Sequence, residues 1–394
     1  MQLTTSIVAG LIAASLATAA PAPAPKKVIS IPMTRRTTAG LAHPDGKVNF
    51  GAVAKHLDGL RAKYDRNLKS YASNTGKTHP LASGKAAAPS KRGVGNDPLT
   101  AQESGALWTG PISFGGQSFN IDFDTGSADC LVGPGNYDPS QSYSSQDTGR
   151  TFSTAYGDGT TASGEIYLDT LNIAGLSAQS AAIGVASSTF LDASENSAGI
   201  CGMSQPGLSQ FNEPPFFYSL QSAGAVDQGV FAFALSLGSS TLTLGGLDSS
   251  LYSGSPTYVG LNSNSGFWQI SGSLAGHGDN YIIDSGTSLV VAPVNTAEAI
   301  FSNLGVTPVN EQGATYGAYD CSNPPNVAFN FGGKTIPLTS SAVTIGTDNS
   351  GRCLLSVIGQ DIGISGVIAG DPLFESSYIA FSVDNNAVGF ADRA

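Results

Sequence analysis

Histidine is nearly missing from this chain of 394 residues: there are four, and beyond residue 92 only His277. A His-based catalytic triad would rest on that one residue, set in a Gly-rich loop with no nucleophile motif nearby, so His277 is expected at the surface. His and Cys do not cluster as zinc ligands do, and no Gly-rich loop is followed by the Lys of a phosphate-binding loop. Charge is scarce too, at 12% of residues. The polar surface must come from Ser, Thr, Asn, Gln and Gly, a composition suited to strands and turns more than to helices. After the first 20 residues no apolar run approaches the ~20 residues that cross a bilayer.

Positive charge is missing from most of the chain but not from its start. Through Arg92 there are 14 Lys+Arg against 3 Asp+Glu, net +11; from Gly93 onward there are 4 against 26, net −22. Such a division marks a separate basic segment beside an acidic body, and the acidic body disfavours nucleic acid. Residues 1–20, a short apolar run ending in Ala17-Thr18-Ala19, read as a secretory signal, which predicts a secreted, extracellular product. Residues 21–92 form the basic segment. Its end is a Pro/Ala/Gly/Ser linker carrying the dibasic pair Lys91-Arg92, which looks like a processing site. Within it Phe50, Val53, Leu57, Leu60, Tyr64, Leu68 and Tyr71 recur at steps of three and four, an amphipathic helix with basic outer positions. A basic amphipathic helix is able to lie on a membrane. With an acidic body next door, docking onto that body is the expectation.

From Gly93 the text becomes short alternating runs broken by Gly, Asn, Asp and Pro, which predicts an all-β body. Helical candidates are few, near 214–224 and 294–305. A coarse repeat runs through it. "FDTGSADC" at 123–130 and "IDSGTS" at 283–288 each place an Asp in a Thr/Ser-Gly-Ser/Thr turn. Each is followed, 78 and 86 residues later, by an apolar run ending in Gly, "AGICG" at 198–202 and "GVIAG" at 366–370. Two similar lobes follow, 93–255 and 256–394. A third such tripeptide, Asp147-Thr148-Gly149, has neither the apolar lead-in nor the hydroxyl after Gly.

Two carboxylates are left as the reactive pair. If the lobes face each other about a pseudo-twofold axis, Asp124 and Asp284 meet at the bottom of the cleft between them. Like charges at close range resist double ionisation, so the pair keeps one proton over an acidic window. One carboxylate then takes a proton from a bound water while the other gives one to a substrate carbonyl oxygen. Gly126 and Gly286 permit tight backbone approach and offer N–H donors. Thr125 and Ser285 are placed to bond across the lobe boundary, and Ser127 and Thr287 to hold the outer carboxylate oxygens.

These residues resemble the pepsin-like aspartic proteases of the secreted fungal type, with wording close to aspergillopepsin-like and polyporopepsin-like enzymes. The likeness covers nearly the whole chain. "KVISIPMTRR" at 27–36 resembles the first strand of the family's prosegment, and Lys63-Tyr64 resembles the pair with which such prosegments plug the cleft. "AYGDGTTASG" at 155–164 resembles the flap hairpin, with Tyr156 at the tip, Gly157 and Asp158 after it. "FWQI", "IAGDPLF" and "IAFSVDNNAVGFA" have family counterparts in order. The resemblance implies a bilobal pepsin-like fold of two β-barrel lobes. It also implies endopeptidase activity at acidic pH with a preference for large hydrophobic residues, no cofactor and no metal. Protein and peptide substrates, synthesis as a zymogen with its own propeptide as inhibitor, and a monomer are expected, with no membrane partner. Where the family often has Trp, this chain has Leu131. Cys321 and Cys353 match the family's second-lobe disulfide, while Cys130 and Cys201 replace apolar residues near the first Asp turn, as a bond or as two buried thiols. A catalytically dead pepsin-fold binding module is the runner-up, disfavoured because both aspartates, both following hydroxyls and the flap tyrosine survive. A carbohydrate-binding β-sandwich would leave the matched Asp turns unexplained.

Overall fold

Alternating runs separated by Gly- and Asn-rich turns fold here into two large sheets. The computed structural model describes residues 28–35, 40–83, 108–155, 161–188, 197–236, 239–263 and 265–394. The expected leader at 1–20, the expected processing pair Lys91-Arg92 and the expected flap residues Tyr156, Gly157 and Asp158 lie outside the described residues. The described strands form one sheet of thirteen and one of ten.

In the first sheet six strands close into a barrel. Their order is Trp108–Phe114, Gln117–Asp124, Gly199–Gly202, Cys130–Val132, Leu176–Ala186 and Thr161–Ile173, the last pairing back onto the first. The remainder of that sheet draws on both halves of the body: Val230–Ala234 pairs with Tyr378–Ser382, and Tyr252–Gly260 with Ala387–Arg393. Beneath this shared layer Phe231 stacks on Phe381 at 4.9 Å, and Trp268 meets both rings edge-on. The architecture is all-β and bilobal. The two longest helices of the described residues are Phe50–Thr75 and Val294–Leu304.

The sequence repeat has a structural counterpart. Gln117–Asp124 runs parallel to Gly199–Gly202, with Asp124 opposite Gly202, while Cys130–Val132 runs antiparallel to the same short strand. In the second sheet His277–Ile283 runs parallel to Val367–Ala369, and Val290–Ala292 lies antiparallel on its other side. Each Asp turn thus leaves one side of a middle strand and returns on the other. The Gly that ends the middle strand lets the turn's backbone cross it: a Cβ on Gly202 would strike the Ala128 backbone, and one on Gly370 the Thr287 carbonyl.

The basic segment joins two parts of the first sheet. Its strand Ile29–Arg35 pairs with Ser240–Leu244 along most of its length and with Trp108–Phe114 at its end. The long helix Phe50–Thr75 starts where the Asn49 side chain accepts the Ala52 N–H at 3.1 Å and stops at Gly76, whose φ of 69° ends the helical path. Val53, Leu57, Leu60 and Tyr64 are buried on its inner face against body residues that include Phe267, Leu289 and Tyr316. Burial of these side chains is worth roughly 1.5–3 kcal/mol each before ordering costs.

Candidate active site

Both aspartates sit at the ends of strands buried on either side of one boundary, 3% exposed for Asp124 and 0% for Asp284. The two turns hold them alike. Asp124 Oδ1 accepts the Gly126 N–H at 2.8 Å and Oδ2 the Ser127 hydroxyl at 2.6 Å. Asp284 Oδ1 accepts the Gly286 N–H at 3.0 Å and Oδ2 the Thr287 hydroxyl at 2.6 Å. Glycine is needed by proximity here, because a Cβ at 126 would lie 2.5 Å from Asp284 Cγ, and one at 286 would lie 2.5 Å from Asp124 Cγ.

Beneath the carboxylates the halves are cross-linked by their hydroxyls. The Thr125 N–H donates to Ser285 Oγ at 3.0 Å, and the Ser285 N–H to Thr125 Oγ1 at 2.9 Å. Each hydroxyl then donates onward into the opposite half, Thr125 to the Ile283 carbonyl and Ser285 to the Phe123 carbonyl. All four groups are buried and satisfied, so the floor is rigid where the two carboxylates meet.

The long helix lies over this floor. Lys63 Nζ is 3.1 Å from Asp124 Oδ1 and 2.9 Å from Asp284 Oδ2, and the Tyr64 hydroxyl donates to Asp284 Oδ2 at 2.8 Å. One turn on, Asn67 Nδ2 donates to the Gly126 carbonyl at 2.7 Å.

A family model described as eukaryotic aspartyl protease matches residues 108–393. The chain belongs to that family. It is 40% identical over 99% of its length, and 99% of the relative's, to secreted aspartyl protease 1 of Malassezia globosa. It is 37% identical to an aspartic protease of Phaffia rhodozyma over 77% of this chain and 80% of that one. Penicillopepsin-1 of Penicillium janthinellum is 30% identical over 72% and 94% of the two chains. This aspartyl protease is thus an aspartic endopeptidase, a hydrolase acting on peptide and protein substrates.

The electrostatics of the protease's dyad are set by burial and by Lys63. Burial pushes both carboxyls up, and the Lys63 ammonium pulls both down. For Asp284 the ammonium, together with hydrogen bonds from Asp124, Thr287 and Lys63, brings it to about 2. Asp124 is left above its usual range by burial and the Asp284 charge. The Tyr64 phenol, raised by burial and by Asp284, stays protonated and donates.

Other residues meet at the site without a signal in the motifs. Asp129 accepts from the Ser209 hydroxyl and the Gln210 N–H, each at 2.7 Å, and burial pushes it up to about 6 with Arg66 of the helix opposing. Trp108 Nε1 donates to Asp371 Oδ1 at 2.8 Å, tying the first barrel strand to the turn after Val367–Ala369. Asn67 had a signal in hindsight: His56, Lys63, Asn67 and Ser70 are all buried and form a polar stripe beside the apolar one. Leu131 packs in a small cluster with Phe152, Ile166 and Phe211. Cys130 and Cys201, directly opposite on antiparallel strands, are bonded, as are Cys321 and Cys353. His277, half-buried, begins the strand that ends at Ile283 in the second Asp motif, seven residues before Asp284. The third tripeptide lies on the strand Gln146–Ala155, where Asp147 accepts only its own turn's Gly149 N–H among the bonds described.

Proposed function

We propose that this aspartyl protease is a secreted acid endopeptidase made as a latent precursor, with Asp124 and Asp284 activating one water between them. The observation that carries the reading is the Lys63 ammonium, hydrogen-bonded to Oδ1 of both carboxylates at 3.1 Å. An ammonium and a water are similar in size and in hydrogen-bond reach, so the place Lys63 Nζ fills suits the water that the reaction needs. With the segment gone, the ionised carboxylate takes a proton from that water as it attacks the peptide carbonyl, and the protonated one gives its proton to the carbonyl oxygen. Ser127 and Thr287 hold the outer oxygens so that the inner ones face the water. The cross-lobe bonds of Thr125 and Ser285 fix the separation.

Residues 21–92 are the inhibitory propeptide in this reading, with Lys63 and Tyr64 blocking the dyad and Lys91-Arg92 the place of final trimming. The apolar floor under the helix, with Phe267 and Leu208, favours large hydrophobic substrate residues on either side of the cut, and Tyr156, Gly157 and Asp158 form the flap. Secretion agrees with the leader and with the name of the Malassezia relative. A single chain suffices, since both carboxylates come from one polypeptide. The test is acid incubation of the full chain, followed by N-terminal sequencing and cleavage of a peptide library. Wild type gains activity as it loses residues before 93, whereas Asp284→Asn loses at least the ~10² to 10⁴ in rate typical of general acid–base catalysis. Near-normal cleavage by the Asn variant overturns the reading.

A further inference from the structure

Three of the four histidines stand before residue 92, at 43, 56 and 79, and two of them are buried. His56 lies on the inner side of the long helix, two turns before Lys63; it is 7% exposed and its Nε2 has no hydrogen-bond partner. The charged groups that face it are Lys63 of its own helix, which repels a second positive charge, and Asp284 of the body, which favours one.

His79 follows the helix and is 3% exposed. Its Nε2 is 2.9 Å from the Ser265 carbonyl oxygen, and its Nδ1 accepts the Leu81 N–H at 3.0 Å. That pattern suits only the neutral ring: Nε2 carries the proton and Nδ1 must be bare to accept. The titratable group against it is Tyr71 of the helix, edge-on at 4.8 Å; from the body Phe267 packs edge-on at 5.1 Å. A second proton on either ring therefore has nowhere good to go. On His56 it lands on a buried nitrogen without a partner, near an ammonium that outweighs the Asp284 charge, and on His79 it faces an N–H.

We propose that His56 and His79 are the acid sensor of the docked segment, held neutral against the body and loosening the segment from the cleft when they are protonated. This deepens, and rests on, the latency proposed above. Burial, with Lys63 adding to it and Asp284 opposing, pushes His56 down to about 4, and burial lowers His79 as well. Released into water both return to ~6.5. The released form then binds more protons than the docked one. Docking is undiminished above ~6.5, weakens as pH falls from there, and for His56 stops weakening below about 4. At pH 5 His56 alone loosens the segment by about 30-fold.

The dyad answers at a different pH. Despite burial, Asp284 is held down to about 2 by Lys63 and its hydrogen bonds, so its protonation comes late in an acidification. Asp129, pushed up to about 6 by burial and faced by Arg66, discharges in the same range as the histidines and must be separated from them.

The experiment acidifies the full chain stepwise from about pH 7.5 to 4 and follows cleavage of a fluorogenic peptide and processing on gels, each corrected for the processed enzyme's own pH profile. The chains compared are wild type, His56→Leu, His56→Gln, His79→Gln, the 56/79 double variants and Asp129→Asn. Gln at 79 offers one N–H donor and one acceptor oxygen without titrating, and two replacements at 56 guard against a folding defect in either. Each single variant should lower the pH of half-activation by at least about half a unit, and the doubles by about a unit. Fully processed enzymes from wild type and the His56 and His79 variants should be indistinguishable, because positions 56 and 79 have left with the segment. Double variants that activate at the wild-type pH overturn the proposal, whatever Asp129→Asn does. A wild-type chain that cleaves peptide without processing, as fast as the processed form, refutes the latency itself rather than its sensor.

Discussion

Replacing Lys63 by Met keeps most of the stem in place and removes the ammonium from between two buried carboxylates. Breaking one partner out of a buried ion pair costs ~3–5 kcal/mol, because the charge left behind is neither solvated nor paired. Here two carboxylates lose a partner at once, but the dyad has an escape: it takes up a proton and shares it. The lower figure therefore applies in acid, and ~3 kcal/mol raises the population of the undocked segment about 150-fold. The pH dependence follows from Asp284, which lies at about 2 when docked, below the ~3.9 of a free Asp. Its contribution to docking is complete above the free value and lost as pH falls toward about 2, so the cost of Lys63→Met is largest near neutral pH and shrinks below ~4. The assay is the initial rate of peptide cleavage by unprocessed chain at about pH 6, with Lys63→Arg as the charge-keeping comparison. Lys63→Met should leak activity on the order of a hundredfold above wild type, and Lys63→Arg much less. If the Met variant folds with the wild-type melting temperature and stays as latent as wild type, the ammonium is not what holds the segment over the dyad.

Gly286→Ala would drive a methyl into the Asp124 carboxylate, so kcat should fall by at least about tenfold at the ~1–3 kcal/mol of an overpacked site, with KM little changed in steady-state assays. Asp129, raised to about 6, contributes stability that is present below ~3.9 and lost as pH rises through about 6. In an Asp284→Asn background that blocks self-processing, Asp129→Asn should therefore narrow the gap in melting temperature between pH 4 and 7.5 by a few degrees. Asp158 is proposed to pair with a substrate Lys at the mouth of an apolar pocket, where an ammonium is costly to bury unpaired. Cleavage after Lys by Asp158→Ser should drop by about an order of magnitude or more while cleavage after Phe holds within a few-fold, and equal losses would make the residue a hairpin former only.

The dyad was legible because its signal is local and doubled. An apolar lead-in, Asp, hydroxyl, Gly and hydroxyl fit within six residues, occur twice, and exclude the exposed tripeptide at 147–149. The crossings were half legible: the apolar runs ending at Gly202 and Gly370 stood out as a repeat, but only the strand pairing shows that each is flanked by both arms of an Asp turn. What distant register decides could not be read. Cys130 and Cys201 are 71 residues apart, and Cys201 lies on that same middle strand directly opposite Cys130, so the choice between bond and thiols turned on a register the sequence does not state. Asn67, Arg66 and His79 likewise gain their partners only when the helix docks, and Trp108 meets Asp371 across 263 positions.

The exchanged hydroxyls of Thr125 and Ser285 make each half of the protease a donor to the other's backbone. Neither half carries a complete floor of its own, so the floor belongs to the pair and has no meaning in one repeat. Damage there is shared as well. Once Thr125 has lost its hydroxyl, the Ser285 amide is already orphaned, and removing Ser285 Oγ falls on a network that is partly gone. The two losses should combine to less than their sum. A repeat built in this way constrains its own history: a change in one copy is judged by the other, and the two turns drift together or not at all.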